Sequence, residues 1–222
     1  MSRDYLGEDD LIYNTSSRVP VCLCLDTSGS MYDCIDELVE GVNAFYKAIR
    51  EDEVASKACE IAVVTFNSSV NVIENFSTID KKTDITSLRA DGGTNMGEGV
   101  TKALELLEER KNEYKNNGIE YFQPWLVLMS DGAPTDRVKS VQKKTMEMSN
   151  NKKLSVFCLA IGEYADTDVL GGFSKRAVLR LKGLKFKEFF EWLGKSVSVV
   201  SNSKVGETIK LDTTELSEFS EI

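Results

Sequence analysis

The sequence predicts an α/β fold: a doubly wound, mostly parallel central sheet with one antiparallel edge strand and helices on both faces. Three observations carry that prediction. Short runs that are apolar at nearly every position, such as Val19-Pro-Val-Cys-Leu-Cys-Leu25, alternate with stretches whose apolar residues recur at helical spacing. A strand apolar on both sides must be covered on both sides, which is the condition inside a parallel sheet flanked by helices. Turn signals rich in Gly, Asn, Asp and Ser separate the runs. The 222 residues, 41% of them hydrophobic, suit one sizeable domain with a real core.

Each element follows in order. Residues 1–17 read as a polar N-terminal arm with an apolar patch at Leu11-Ile12-Tyr13. Residues 19–25 form a central strand. Ile35, Leu38, Val39, Val42, Phe45, Tyr46 and Ile49 then recur at helical spacing and predict a helix over 31–50. Residues 60–66 (EIAVVTF) are a second strand, Asn67-Ser-Ser69 a turn, and 70–76 a weakly alternating third strand. So short a connection makes this pair an antiparallel hairpin at the sheet edge. Asp91-Gly-Gly-Thr-Asn95 is a loop that leads into an amphipathic helix over 96–111, with Val100, Ala103, Leu104 and Leu107 inward. Asn116-Asn-Gly118 ends its tail.

Residues 124–130 (PWLVLMS) are another buried strand, stopped at Asp131-Gly132. Thr135 or Asp136 caps a helix that runs through 149. A strand over 154–161, a short helix over 166–173, a short strand over 178–181 and a last helix over 186–200 complete the alternation. The domain body is expected over 18–202. Residues 203–222 read as a C-terminal strand or acidic tail, with 213–222 acidic, rich in Ser and Thr, and arm-like.

Composition excludes several function classes. The net charge of −9, from 36 acidic and 27 basic residues, opposes general nucleic-acid binding and adsorption to anionic lipid. Lys143-Lys144, Lys152-Lys153 and the set Lys182, Lys185 and Lys187 read as solvated helix faces and turns. The chain has no histidine, which removes Ser-His-Asp and Cys-His catalysis, the usual catalytic zinc sites and any histidine pH switch. Five cysteines are an odd count, and Cys22, Cys24 and Cys158 lie in strand-like runs, so they read as small buried hydrophobes rather than a disulfide framework. Cys22-x-Cys24 lacks the histidine or second cysteine pair that a zinc site needs. No stretch reaches the roughly 18 consecutive apolar residues of a membrane span, and the polar N-terminus has no signal-peptide core, so a cytoplasmic protein is expected.

The chemistry gathers at three polar clusters, each following a buried element on its loop side. Asp26-x-Ser28-x-Ser30 follows the first strand, Thr94 follows Gly92-Gly93, and Asp131 follows the 124–130 strand. In doubly wound folds ligands bind at the carboxyl ends of the strands, where the strand order reverses. Carboxylate and hydroxyl oxygens are hard ligands suited to magnesium; manganese or calcium also suits an oxygen site. Two carboxylates balance a divalent charge and three hydroxyls add none, which leaves the ion able to accept an anionic group from outside. Magnesium takes about six oxygens at roughly 2.0–2.1 Å and keeps some water, so part of the set acts through water. Gly29 permits a tight turn between the serines, and Gly92-Gly93 lets the backbone bring Thr94 close.

Each residue also has a plainer reading. Asp26 alone would serve as a helix cap, Asp136 reads as one, and Asp91 reads as a loop carboxylate. Trp125, Phe189, Phe190 and Trp192 read as core and groove packing.

Asp26-Thr-Ser-Gly-Ser30 resembles the D-x-S-x-S motif of von Willebrand factor A domains, with its metal-ion-dependent adhesion site (MIDAS). Gly93-Thr94 resembles that family's threonine loop and Ser130-Asp-Gly132 its distal aspartate loop, over about residues 18–201. More narrowly, Asp91-Gly-Gly-Thr-Asn-Met-Gly97, Tyr121-Phe-Gln-Pro-Trp125, Ser130-Asp-Gly-Ala-Pro-Thr-Asp136 and Phe189-Phe-Glu-Trp-Leu193 are similar to bacterial TerY-like proteins of tellurite-resistance and stress-response clusters. The resemblance implies a Rossmann-like fold and a non-enzymatic binding module. It implies Ser28, Ser30 and Thr94 as direct metal ligands, Asp26 and Asp131 as ligands largely through water, and a partner's Asp or Glu at the open position. Gly29, Gly93 and Asn95 are the expected partner-binding positions. A protein kinase or PP2C-type phosphatase encoded nearby is the implied kind of partner, with no role for nucleic acid or membrane.

The competing function is a magnesium-dependent phosphotransferase of haloacid-dehalogenase type, which also places an Asp after its first strand. Such an enzyme needs a second Asp two residues later as acid and base. Position 28 is serine, a poor proton donor or acceptor at neutral pH. No G-x-x-x-x-G-K-[ST] loop is present for nucleotide phosphates.

Overall fold

The structure, a computed structural model, describes residues 14–163 and 165–221; the Leu11-Ile12-Tyr13 patch and most of the 1–17 arm lie outside these. The first strand, β1 (Val19–Asp26), is buried at every position because both of its faces are covered. Val19, Val21, Leu23 and Leu25 pack with Leu38, Val42, Phe45, Phe189 and Leu193. The opposite parity, Cys22 and Cys24, packs with Val100, Ala103, Leu104 and Leu107. This is the two-residue strand period meeting two helical layers.

A 3₁₀ turn (Gly29–Cys34) leads into α1 (Ile35–Glu51), followed by α2 (Glu53–Ala58). Next come β2 (Cys59–Phe66), β3 (Val70–Thr78), α3 (Met96–Asn116) and β4 (Trp125–Ser130). The chain continues through α4 (Lys139–Asn150), β5 (Ser155–Ala160), α5 (Thr167–Gly171), β6 (Leu179–Leu181), α6 (Phe186–Ser201), α7 (Leu216–Phe219) and β7 (Ser220–Glu221). The seven strands form one sheet in the order β3-β2-β1-β4-β5-β6-β7. β2, β1, β4, β5 and β6 run parallel, and β3 joins β2 antiparallel at the edge, as the short 67–69 turn requires. From β1 the chain first builds outward through β2 and β3. It then crosses by α3 to β4 on the other side of β1, so the order reverses between β1 and β4.

Several local expectations change. The helix predicted over 31–50 begins with the 3₁₀ turn, a common form for a helix end. α2 is too short to show periodicity; Asp52 starts it by accepting from the Val54 and Ala55 amides at 3.0 and 2.7 Å. α3 runs five residues beyond the predicted 111, since Tyr114 is fully buried. Asp136 does not cap the helix that follows it. Its carboxylate accepts from the Gly97 and Glu98 amides at 3.0 and 2.8 Å and so caps α3. The arm-like composition of 213–222 also misleads: Leu216 and Phe219 are buried, and β7 pairs antiparallel with β6, giving the sheet a second antiparallel edge.

The five cysteines are free and buried. Burial pushes the Cys22 and Cys158 thiols up to about 12, so they stay protonated and inert at neutral pH. Among the described residues no helix is long and apolar enough to cross a membrane.

Gly41 sets the approach of α1 to α6. A Cβ there would meet Phe186 Cβ and Phe190 Cδ2 at 2.8 Å each. Gly41→Ala is expected to cost about 1–3 kcal/mol through overpacking, read as a lower urea midpoint at unchanged m-value. An unchanged midpoint would contradict this packing.

Candidate metal site

β1 and β4 are neighbours on either side of the reversal, so their carboxyl ends open into one crevice. β1 ends in Asp26 and β4 in Ser130. Asp26 is fully buried there. The Ser28 amide donates to its Oδ1 at 2.8 Å, and the Ser130 hydroxyl donates to its Oδ2. From Ser28 a line of oxygens continues outward: Ser28 Oγ lies 3.1 Å from Ser30 Oγ, and Ser30 Oγ donates to Asp131 Oδ1 at 2.8 Å. Ser28 is buried, while Ser30 is exposed. The hard oxygens thus run from the core to solvent.

The third cluster is tied in through the backbone. Gly29 N donates to Gly92 O at 3.0 Å and Asp91 N to Thr27 O at 2.9 Å. Gly92 adopts φ +69, and a Cβ there would lie 2.4 Å from Ser68 Oγ. Glycine is needed at 92 both for the left-handed backbone and for this close approach. Thr94, nearly buried, exchanges two bonds with Thr135: its amide donates to Thr135 Oγ1 at 3.0 Å, and its carbonyl accepts from Thr135 N at 2.9 Å. The structure therefore brings the Asp26, Thr94 and Asp131 loops together, with Ser28, Ser30 and Asp131 in direct contact.

The expected partner-binding positions are partly occupied within the site. The Gly93 amide donates to Ser68 Oγ at 2.7 Å. The Asn95 side chain donates to Ser68 O at 3.1 Å and accepts from Thr135 Oγ1 at 3.1 Å, which makes it an organiser of the loop. Asp91 faces Arg89 at 3.6 Å on the surface. Sequence reasoning does not single out Ser130 or Ser68, and it reads Thr135 as a cap of the following helix; instead Thr135 Oγ1 accepts from Thr94 N and donates to Asn95 Oδ1.

Burial pushes the Asp26 carboxyl up to about 6, despite opposing hydrogen bonds from Ser130 and Ser28, and the negative Asp131 adds to the rise. Burial also raises Asp131, against the hydrogen bond from Ser30. Among the described residues no basic side chain pairs with either carboxylate. Nor do three or more His, Cys, Asp or Glu side chains cluster as a metal cage among them. The donors here are two carboxylates and hydroxyls, the hard set expected for an oxygen-loving divalent ion.

The doubly wound sheet with hard oxygens gathered at its switch point defines the class: an α/β domain with a candidate site at the carboxyl ends of its strands. The chain belongs to the von Willebrand factor type A domain family, whose model matches residues 21–180. It is similar to inter-alpha-trypsin inhibitor heavy chain H2 of Mus musculus, 28% identical over 160 residues, covering 68% of this chain and 16% of that protein. The chain therefore spans only a small part of the curated relatives it matches. Among solved structures it is similar to the von Willebrand factor type A protein of Catenulispora acidiphila, with TM-score 0.63 and 17% identity over 82% of this chain and 43% of that one. It is also similar to proximal thread matrix protein 1 from the mussel byssus with a zinc-occupied MIDAS motif, with TM-score 0.57 and 15% identity over 83% and 49% of the two chains. At these identities the structures show the shared fold.

Proposed function

We propose that this chain is a metal-dependent protein-binding module, with residues 18–202 as the domain. Ser28, Ser30 and Thr94 would hold a divalent ion directly, and Asp26 and Asp131 would hold it largely through water. A partner's Asp or Glu completes the coordination. The observation that carries this reading is the line of oxygens from buried Asp26 through Ser28 and Ser30 to Asp131, at 3.1 and 2.8 Å between the last three. Both carboxylates stand above their ordinary range, so a cation would relieve a cost already present. The zinc-occupied motif of proximal thread matrix protein 1 supports a metal in such a crevice. Magnesium fits the hard donors best.

Serine at position 28 disfavours the phosphotransferase reading, and the module is proposed as non-enzymatic. The stretches similar to TerY-like proteins suggest its setting: a cytoplasmic tellurite-resistance or stress-response signalling system. A co-encoded kinase or phosphatase is then the first partner to try. The test is a pull-down by the full chain in magnesium against EDTA, with a Ser28→Ala/Ser30→Ala variant. EDTA and the variant are expected to release the same protein. Capture of that protein unaffected by either change would overturn the reading.

A further inference from the structure

At the opposite end of the sheet lies a second feature. A groove of about 960 Å³ opens beside the amino ends of β4 and β5, where Trp125 and Ser155 line it. Its floor is apolar and includes Phe122, Trp125, Leu154 and Ile209. Its lining includes six exposed cations, Lys115, Lys144, Lys152, Lys153, Lys175 and Arg176. They come from three separate places: the end of α3, α4 with its following turn, and the loop before β6. Among the described residues none of the six forms an ion pair. The two acidic groups of the lining are engaged locally: Glu108 holds Lys111 at 2.7 Å, and Glu207 accepts from Lys204 N at 3.4 Å. In a chain of net charge −9, the fold has concentrated unpaired positive charge around one apolar trough.

Lys152 adds an independent observation. It is the one non-glycine residue with positive φ among those described, at φ 55, just beyond α4. Glycine is the low-cost residue at such a helix end. Lysine there is slightly costlier than glycine, and its side chain forms no ion pair among the described residues.

We infer that this groove docks an acidic peptide segment that also carries apolar side chains, at a site separate from the candidate metal crevice. Carboxylates would meet the spread-out cations while apolar side chains cover the floor. A nucleic-acid backbone would leave that floor uncovered, and the acidic remainder of the chain would repel it. With a metal crevice at one end and this groove at the other, the domain could bridge two proteins.

The test is fluorescence polarisation with the full chain in EDTA, which silences the metal crevice. The probe is a labelled twelve-residue peptide of alternating Glu and Leu. Its Glu-to-Gln counterpart and a twelve-nucleotide oligothymidine serve as comparisons. The Glu peptide is expected to bind, to weaken at high salt, and to bind about tenfold less well to a Lys153→Ala/Arg176→Ala variant. Lys152→Gly is expected to weaken the peptide while preserving or raising the melting temperature, a separation that a purely structural lysine would not give. Failure of the Glu peptide to bind, equal binding of the Gln peptide, tighter binding of the oligonucleotide, or variants that bind as wild type would each overturn the inference.

Discussion

Glu60→Ala is expected to destabilise the fold by about 3–5 kcal/mol, the usual cost of removing one partner from a buried ion pair. Glu60 is the second residue of the buried strand β2 and is fully buried. Its Oε1 accepts from Arg18 Nε at 3.0 Å and Arg110 Nη2 at 2.9 Å. Its Oε2 accepts from Arg110 Nε at 2.6 Å and from the Tyr114 hydroxyl at 2.5 Å. Arg18 is fully buried and Arg110 nearly so. Alanine leaves two guanidinium groups facing a cavity in low dielectric, which is costlier than losing the hydrogen bonds alone. The cluster ties together the start of β2, the entry to β1 and the end of α3, so its loss should lower the urea midpoint sharply. A double-mutant cycle with Arg110→Ala should be strongly non-additive, because Glu60 and Arg110 share two hydrogen bonds within one buried cluster. Additive losses, or a midpoint near wild type, would show that the cluster is not energetically coupled.

Asp26→Asn is expected to act in opposite directions with and without metal. In EDTA at pH 7 it should stabilise the protein by about 1–3 kcal/mol, because it removes the cost of ionising a buried carboxyl. The asparagine carbonyl can still accept from Ser28 N, and its amide can face the Ser130 hydroxyl. In magnesium the order should reverse. Wild type should gain about 4.1 kcal/mol at a thousandfold excess of ion over its dissociation constant, and the variant almost nothing. Thermal melts under both conditions check this; an equal magnesium shift in both proteins would remove Asp26 from the site.

The pH dependence follows with a definite sign. The folded Asp26 carboxyl keeps its proton up to about 6, whereas an ordinary one releases it near 3.8. Between those values the folded state binds more protons than the unfolded one, so metal-free stability falls as pH rises through that window. Raised Asp131 contributes in the same direction. Metal binding needs the ionised forms, so affinity should weaken below about pH 6 and binding should release protons. The Asn variant should lose most of the stability slope.

The layer architecture was legible because it rests on local patterning. A strand such as Val19–Asp26, buried at every position, shows its two-sided burial directly in its composition. The helical spacing from Ile35 to Ile49 identifies α1 in the same way. The short turn at 67–69 determined the antiparallel pairing of β2 and β3, because no parallel crossover fits so few residues. Asp26, Ser28 and Ser30 were legible as a group because a single loop carries all three. Weak or short signals were missed: α2 is one capped turn and a half, and Leu216 and Phe219 are buried amid acidic, polar neighbours that suggested an arm.

What only the tertiary structure decided is who meets whom across long separations. Ser130 and Asp26 are 104 positions apart, and Ser30 and Asp131 are 101 apart. Asp136 could be read as a cap, but only packing shows that it caps α3 rather than α4. Nothing around Glu60 in sequence announces two arginines and a tyrosine, which arrive from 42, 50 and 54 positions away. Hydrophobic period and turn chemistry are properties of neighbours along the chain, so the sequence carries them openly. The buried charge cluster, the raised Asp26 and the basic groove depend on desolvation and on through-space partners, which exist only once the sheet has closed between its helices.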